Sequence, residues 1–257
     1  MSNVAIEKLA SDHALDDLYE VKEVDRRLSY FVVNPSSVIC DVGGETGVDS
    51  FPLATLGALC ICLDINKAQL RKGKLLSRKR KLDSKLEFVV ASATNMPFID
   101  SAVNLVTCFS VLDHLPNKTC VRLAVNEFSR VVKEKGFVSI TFPNTLFIAG
   151  TLSMKIKQLV DYDAFFEQRF SPSEMREIMF SSGLTPLASD SKYPTRIGNT
   201  VLEHNFPKIV SKIPQWIYRP VFSVAERTSI ILEKRAWLKL FGARFGYLSQ
   251  KSDKTNC

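Results

Sequence analysis

Short apolar runs separated by stretches of helical spacing set the pattern of this chain. Ser37-Val38-Ile39-Cys40 and Leu59-Cys60-Ile61-Cys62-Leu63 are apolar runs, and each leads directly into an acidic residue, Asp41 and Asp64. Runs of this kind read as buried strands. Asn66-Lys67-Ala68-Gln69-Leu70 opens a helical stretch, and Glu127 to Gly136 reads as a helix stopped by its glycine. A strand at Phe137–Phe142 and a break at Pro143-Asn144 follow. Further on, Ser171 is placed as an N-cap, Pro172 as the first helical residue and Glu174 three positions beyond the cap. Together they predict a capping box for an amphipathic helix that ends at Gly183.

The loop between the first two runs carries the chemistry. In Asp41-Val42-Gly43-Gly44-Glu45-Thr46-Gly47, glycines let backbone approach a ligand closely and hand it to the next helix's N-terminus. A dinucleotide fingerprint needs G-x-G-x-x-G, and glycines at 43, 44 and 47 do not have that spacing. The segment instead resembles motif I of the class I S-adenosylmethionine-dependent methyltransferases, [D/E]-x-G-x-G-x-G, through Asp41, Gly43 and Gly47. It departs from that motif at Glu45, where Gly44 alongside supplies backbone freedom. Asp64 lies about 20 residues beyond the glycines, where the ribose-binding acid of such folds stands. It is also suited to capping the helix after it, and the two roles are compatible.

The resemblance continues in order along the chain. Phe88 to Phe98 resembles the family's third strand and the loop that meets the adenine, with Ser92 where relatives carry an acid, Ala93 offering its amide, and Met96, Pro97 and Phe98 as an apolar wall. Val103 to Pro116 resembles the fourth strand and its exit loop in the small-molecule branch, whose carboxyl end faces the transferable methyl. The ubiquinone-biosynthesis-like, type 11 methyltransferases form that branch. Phe109, Ser110, Asp113 and His114 are candidates for this reaction zone, since histidine is suited to proton transfer near neutral pH and Asp113 adjoins it. Ala243 to Ser249 resembles the family's last strand. The resemblance implies a Rossmann-like, doubly wound α/β fold, a mostly parallel seven-stranded sheet with helices on both faces. It also implies S-adenosyl-L-methionine as cofactor, held by Asp41, Gly43, Gly44, Glu45, Gly47, Asp64, Ile65, Ser92, Ala93, Met96, Phe109 and Ser110, with His114 and Asp113 as catalytic candidates and no metal.

Composition supports this reading in part. The chain has 257 residues, 46% of them hydrophobic and 24% charged, which is ordinary for one globular enzyme domain. The expected layout is a helical cap at 1–33, a cofactor-binding core at 34–183, a return with a helical insertion at 184–240, a last strand at 241–250 and a flexible tail at 251–257. Cys40, Cys60, Cys62, Cys108, Cys120 and Cys257 lack C-x-x-C pairing and read as reduced thiols of a cytoplasmic protein. Glu7, Asp12, Asp16 and Asp17 argue against a secretory leader. Gly136 to Met154 is uncharged, but Pro143-Asn144 divides it, so it reads as a strand and an acceptor-side segment rather than a span.

The formal net charge is +7, much of it in the run from Arg71 to Lys81. Such a run can bind RNA phosphates or anionic lipid, and it reads here as a solvated helix face. No aromatic residue interrupts it, against a single-stranded nucleic-acid platform. The aromatic and basic insertion around Trp216 and Trp237 reads as a cap, alternatively as a lid for an apolar acceptor lying against lipid. The sequence therefore predicts methyl transfer to a small or lipid-like acceptor, with peripheral membrane contact possible and nucleic acid not favoured. The alternatives are a noncatalytic methyltransferase-like module, an RNA or protein methyltransferase, and a nicotinamide-dependent oxidoreductase.

Overall fold

The computed structural model describes residues 31–147, 167–192 and 244–252. Nearly all of the predicted N-terminal cap, much of the acceptor-side segment, most of the predicted insertion and most of the tail lie outside them.

The first half of the sheet follows from its apolar runs. Strand β1 (Val38–Val42) is buried from Ile39 onward, as a strand covered on both faces must be. It pairs in parallel with β2 (Leu59–Asp64), from Val38↔Leu59 to Val42↔Leu63. On its other side it pairs in parallel with β4 (Val103–Phe109), from Ile39↔Leu105 to Val42↔Cys108. Strand β3 (Leu86–Val90) joins β2 in parallel, ending at Asp64↔Val90. Parallel registers bring Val42, Asp64, Val90 and Cys108 to one edge, so the loops that follow them share that edge. Strands β5 (Val132–Pro143), β6 (Leu184–Lys192) and β7 (Arg244–Lys251) complete seven strands in the order β3-β2-β1-β4-β5-β7-β6. The order reverses between β1 and β4, the switch point where open α/β sheets place ligands.

Helix α1 (Phe51–Thr55) and helix α2 (Lys67–Lys79) flank this half. Ile39, Phe51, Leu53, Ala54, Cys60, Cys62, Leu70, Leu86 and Leu105 form one buried cluster there. Cys40, Cys60, Cys62 and Cys108 are buried free thiols, and burial raises each above the ordinary thiol value, so they sit protonated as core groups.

Three local expectations are corrected. The cap of α2 is Asn66, whose side chain accepts from the Ala68 and Gln69 amides at 3.1 and 3.2 Å. Asp64 instead accepts from the Asn66 amide at 2.7 Å and supports the turn before the helix. Helix α3 (Lys118–Val131) ends well short of Gly136, which lies inside β5. A Cβ at Gly136 would sit 2.7 Å from Val132 Cγ2 and 3.0 Å from the Asn104 carbonyl, so this glycine permits close strand approach rather than stopping a helix. Helix α4 (Pro172–Ser181) does start as predicted, with Ser171 Oγ accepting from the Glu174 amide at 3.1 Å.

The chain divides into two compact units. One runs to Ile140 and includes Glu177–Ala188 and the C-terminal residues from Tyr247; the other comprises Thr141–Arg176 and Ser189–Gly246. Within the second, Phe142 packs edge-on against Phe170, with ring centres 6.1 Å apart, and Phe170 bridges to Asn144.

Candidate cofactor site

A cavity of about 940 Å³ lies at the carboxyl ends of β1 to β4, wholly within the first unit, and falls inside the usual range for small-molecule sites. Of the residues singled out from the sequence, Gly43, Gly44, Glu45, Asp64, Ile65, Ser92, Ala93, Phe109, Ser110 and His114 line it. Asp41, Gly47, Met96 and Asp113 do not. The other lining residues include Thr46, Asp49, Asn66, Thr94, Val111, Leu115 and Cys120, which no motif distinguishes.

Asp64 organises the site. Its Oδ2 accepts from the Glu45 amide at 3.1 Å while Oδ1 accepts from the Asn66 amide, so one carboxylate ties the glycine loop to the start of α2. A carboxylate oxygen has two lone pairs, and each of these retains acceptor capacity toward the cavity. The loop is further pinned by the Gly43 amide donating to the Leu63 carbonyl at 2.7 Å.

The glycines answer to the protein's own packing. A Cβ on Gly43, at φ +72°, would collide with Val111 Cγ2; one on Gly44 would lie 2.8 Å from Asp41 Oδ2. One on Gly47, at φ +76°, would crowd Cys62 Sγ at 2.9 Å and the Phe88 ring. Gly47 also leads into a 3-10 turn (Val48–Ser50) carrying Asp49, so the next helix, α1, begins three residues beyond the loop and is only five residues long.

Glu45 occupies the left-handed region at φ +45° with its side chain exposed. Its backbone already adopts what a glycine there would adopt. Glu45→Gly is accordingly expected to keep the loop and raise folding stability by up to about 1 kcal/mol, relief of left-handed strain being partly offset by a looser unfolded chain. Thermal unfolding checks this; a clear fall in melting temperature would show that the side chain is needed.

Beneath the loop, Asp41 is buried and accepts from Ser50 Oγ and from Thr107 Oγ1, each at 2.8 Å. Cys62 Sγ donates in turn to Ser50 Oγ at 3.4 Å. Burial, then the charge of Asp49, push the Asp41 carboxyl up to about 7 against the pull of these hydrogen bonds. Asp41 thus supports the loop from below rather than facing the cavity.

At the end of β3, Ser92 Oγ lies 2.8 Å from Thr94 Oγ1 and accepts from the Thr94 amide at 3.2 Å, presenting a hydroxyl pair where the sequence expected a single contact. Met96 is buried behind the cavity wall, its amide donating to Glu127 Oε2 at 2.7 Å. Arg130 completes that clamp through Glu127, Asp100 and the carbonyls of Met96 and Phe98, and hydrogen bonding to Arg130 lowers the Glu127 carboxyl below its ordinary value. His114 closes the 3-10 turn Leu112–His114 with its side chain partly exposed, and its Nε2 lies 3.9 Å from Oδ2 of the fully buried Asp113.

These groups fit an adenosyl cofactor. Asp64 offers acceptors for a vicinal diol, the Ser92–Thr94 pair and nearby amides suit a base edge, and the charged linings are Glu45, Asp49 and Asp64. Neither lysine nor arginine is among the lining residues, which suits a ligand of net positive charge and disfavours a diphosphate. Among the described residues no group of three or more His, Cys, Asp or Glu side chains is placed to hold a metal.

The strand order, glycine loop and acid-tipped β2 define a class I methyltransferase fold. Comparison with known proteins agrees: residues 40–140 match the family described as a methyltransferase domain. Those residues are a class I S-adenosylmethionine-dependent methyltransferase domain of the type 11 branch. The chain is similar to a demethylmenaquinone methyltransferase of Clavibacter sepedonicus, 33% identical over 102 residues, covering 40% of this chain and 39% of the relative. It is similar to a ubiquinone/menaquinone biosynthesis C-methyltransferase of Agrobacterium fabrum, 33% identical over 106 residues and 40% of each chain. The chain therefore spans well under two thirds of these curated relatives. Among solved structures it resembles a SAM-dependent methyltransferase of Methanosarcina mazei with a TM-score of 0.62 at 17% identity, covering 87% of this chain and 95% of that one.

Proposed function

We propose that the chain transfers a methyl group from S-adenosyl-L-methionine to a small, lipid-like acceptor of the quinone type. The observation that carries the cofactor half is Asp64, set at the carboxyl end of β2, lining the cavity and hydrogen-bonded to the glycine loop. The acceptor half rests on the two curated relatives, one named as a demethylmenaquinone methyltransferase and the other as a ubiquinone/menaquinone biosynthesis C-methyltransferase.

Bound S-adenosyl-L-methionine would supply an electrophilic sulfonium methyl. Asp64 would hold the ribose, Ser92, Ala93 and Thr94 the base, and the backbone of Gly43 to Glu45 the remainder of the cofactor. The carboxylates of Glu45, Asp49 and Asp64 favour a cationic ligand over a neutral one by plain electrostatics. Phe109 at the end of β4, with Ser110 and His114 beyond it, would meet the acceptor, with the apolar lining of Val111, Leu115 and Pro116 excluding water. The protein's work is mainly to position and to dehydrate.

Where the acceptor atom must lose a proton, His114 is the base and Asp113 orients it. His114→Ala should then lower kcat by about 100-fold with little change in KM, the usual size of a general-base contribution. An unchanged kcat would remove His114 from the mechanism. The overall reading is tested by calorimetric titration with S-adenosylmethionine, S-adenosylhomocysteine and NADH, followed by transfer of labelled methyl to demethylated quinone acceptors. Heat from the two adenosyl ligands and none from NADH is expected; a folded protein that takes neither adenosyl ligand would overturn it.

A further inference from the structure

The cavity leaves the strongest charge feature of the chain unused. Helix α2 buries Leu70, Gly73 and Ser77 against the sheet, which fixes the direction of its opposite face. At about 100° per residue, Leu75 falls near the middle of that outward face, with Arg71, Lys72, Arg78 and Lys79 at the four positions i−4, i−3, i+3 and i+4 around it. The ring is fully cationic: no acidic residue occurs between Asp64 and Asp83. All four cations are exposed, Leu75 is 59% exposed, and Ala68, one heptad before it, is exposed on the same line.

A single exposed leucine is ordinary on a protein surface. One ringed by four cations, on a helix that also carries Lys74 and is followed by Lys81, is the pattern of a helix that lies on an anionic interface, the apolar side chain entering below the headgroups and the cations meeting them. A nucleic acid would find the charge here but no aromatic ring on which to stack a base. We propose that the outward face of α2 docks the protein on the surface of an anionic phospholipid bilayer, through Arg71, Lys72, Arg78 and Lys79 with Leu75 inserted between them.

The helix that would lie on the bilayer starts at the cavity: Ile65 and its cap Asn66 both line it. From Asn66 to Leu75 is about 14 Å along the axis. A bilayer-bound α2 would therefore hold the cavity within a helix length of the phase into which lipid-like compounds partition. The docking surface does not depend on methyl transfer, and its test does not measure it.

The test is co-sedimentation of the full chain with vesicles of phosphatidylcholine alone and of phosphatidylcholine mixed with phosphatidylserine, across a salt series. Binding is expected only to the mixed vesicles and should weaken as salt rises. The triple substitution Arg71→Glu, Arg78→Glu and Lys79→Glu should lower partitioning by more than about 10-fold, and Leu75→Ala should lower it severalfold, without changing the melting temperature. No binding to the mixed vesicles would overturn the proposal, as would equal binding by the triple variant. So would single-stranded RNA bound through the same cations by a protein that ignores vesicles.

Discussion

Asp64→Ala is expected to lower affinity for S-adenosylhomocysteine by about 100-fold or more. The carboxylate offers charge-assisted acceptors for two ribose hydroxyls, each such bond contributing roughly 1.5–3 kcal/mol, so losing both exceeds the approximately 2.8 kcal/mol that a hundredfold change requires. The same substitution deletes the acceptors of the Glu45 and Asn66 amides, so the loop itself would loosen. Asp64→Asn is the milder change. Its side chain keeps nearly the same shape and one oxygen, which can serve only one of the Glu45 and Asn66 amides, so the unfolding temperature should fall by less than in Asp64→Ala while affinity falls by about 10-fold. Calorimetric titration of both variants beside thermal unfolding reads the two quantities independently. Unchanged affinity in Asp64→Ala would refute the ribose assignment; a loss of affinity confined to a variant that has also lost its fold would leave Asp64→Asn to decide.

Asp64 was legible because strand length and loop length together set where a strand's last residue lies, and both can be counted along the chain. The β1 and β2 runs were legible for the same reason, being apolar runs that end on charge. The purpose of the glycines was not legible. Gly43 and Gly44 read as openings for a ligand, yet their missing Cβ atoms leave room for Val111 and Asp41, partners in the fold rather than in the sequence. Gly136 misled similarly: a glycine after a lysine-rich helical stretch looks like a helix stop, whereas Lys135 takes the positive φ and the glycine serves strand contact. Met96 was expected on the adenine wall because it is apolar and near Pro97. Its backbone is instead drawn to Glu127, 31 residues away, while Arg130, 34 residues away, holds both that carboxylate and the Met96 carbonyl, separations at which local pattern carries no signal. The hydroxyl pair Ser92–Thr94 lay within local reach, since a serine two residues before a threonine can form such a turn.

Asp41 should make the protein less stable as pH rises from about 4 to about 7. An aspartate in the unfolded chain ionises near 4, whereas burial holds the folded carboxyl up to about 7, so in this window the folded state carries the extra proton. A folded state that binds more protons loses stability as pH increases. Below pH 4 both states are protonated and the penalty vanishes; above 7 it is complete, at an order of magnitude of 4 kcal/mol for a displacement of about three pH units. Glu127 works with the opposite sign, its lowered carboxyl adding stability that is lost as pH falls through its folded value, so the clean window for Asp41 lies above pH 5. Asp41→Asn removes the ionisation and keeps the shape: its oxygen can accept from Thr107 while its amide donates to Ser50 Oγ, the Ser50 hydroxyl then turning to donate to Cys62 Sγ. Urea unfolding from pH 5 to 8 should show wild-type stability falling and the variant nearly level, the gap between the two curves narrowing as pH falls toward 5 and widening to a few kcal/mol at pH 8. An equal slope in both proteins would place the titration elsewhere. The consequence reaches the site directly. Asp41 Oδ2 lies 2.8 Å from where a Cβ on Gly44 would stand, so the loop that lines the cavity rests on the carboxyl whose charge changes. Flattening the pH profile by Asp41→Asn should therefore also flatten any dependence of cofactor affinity on pH that arises from beneath the loop.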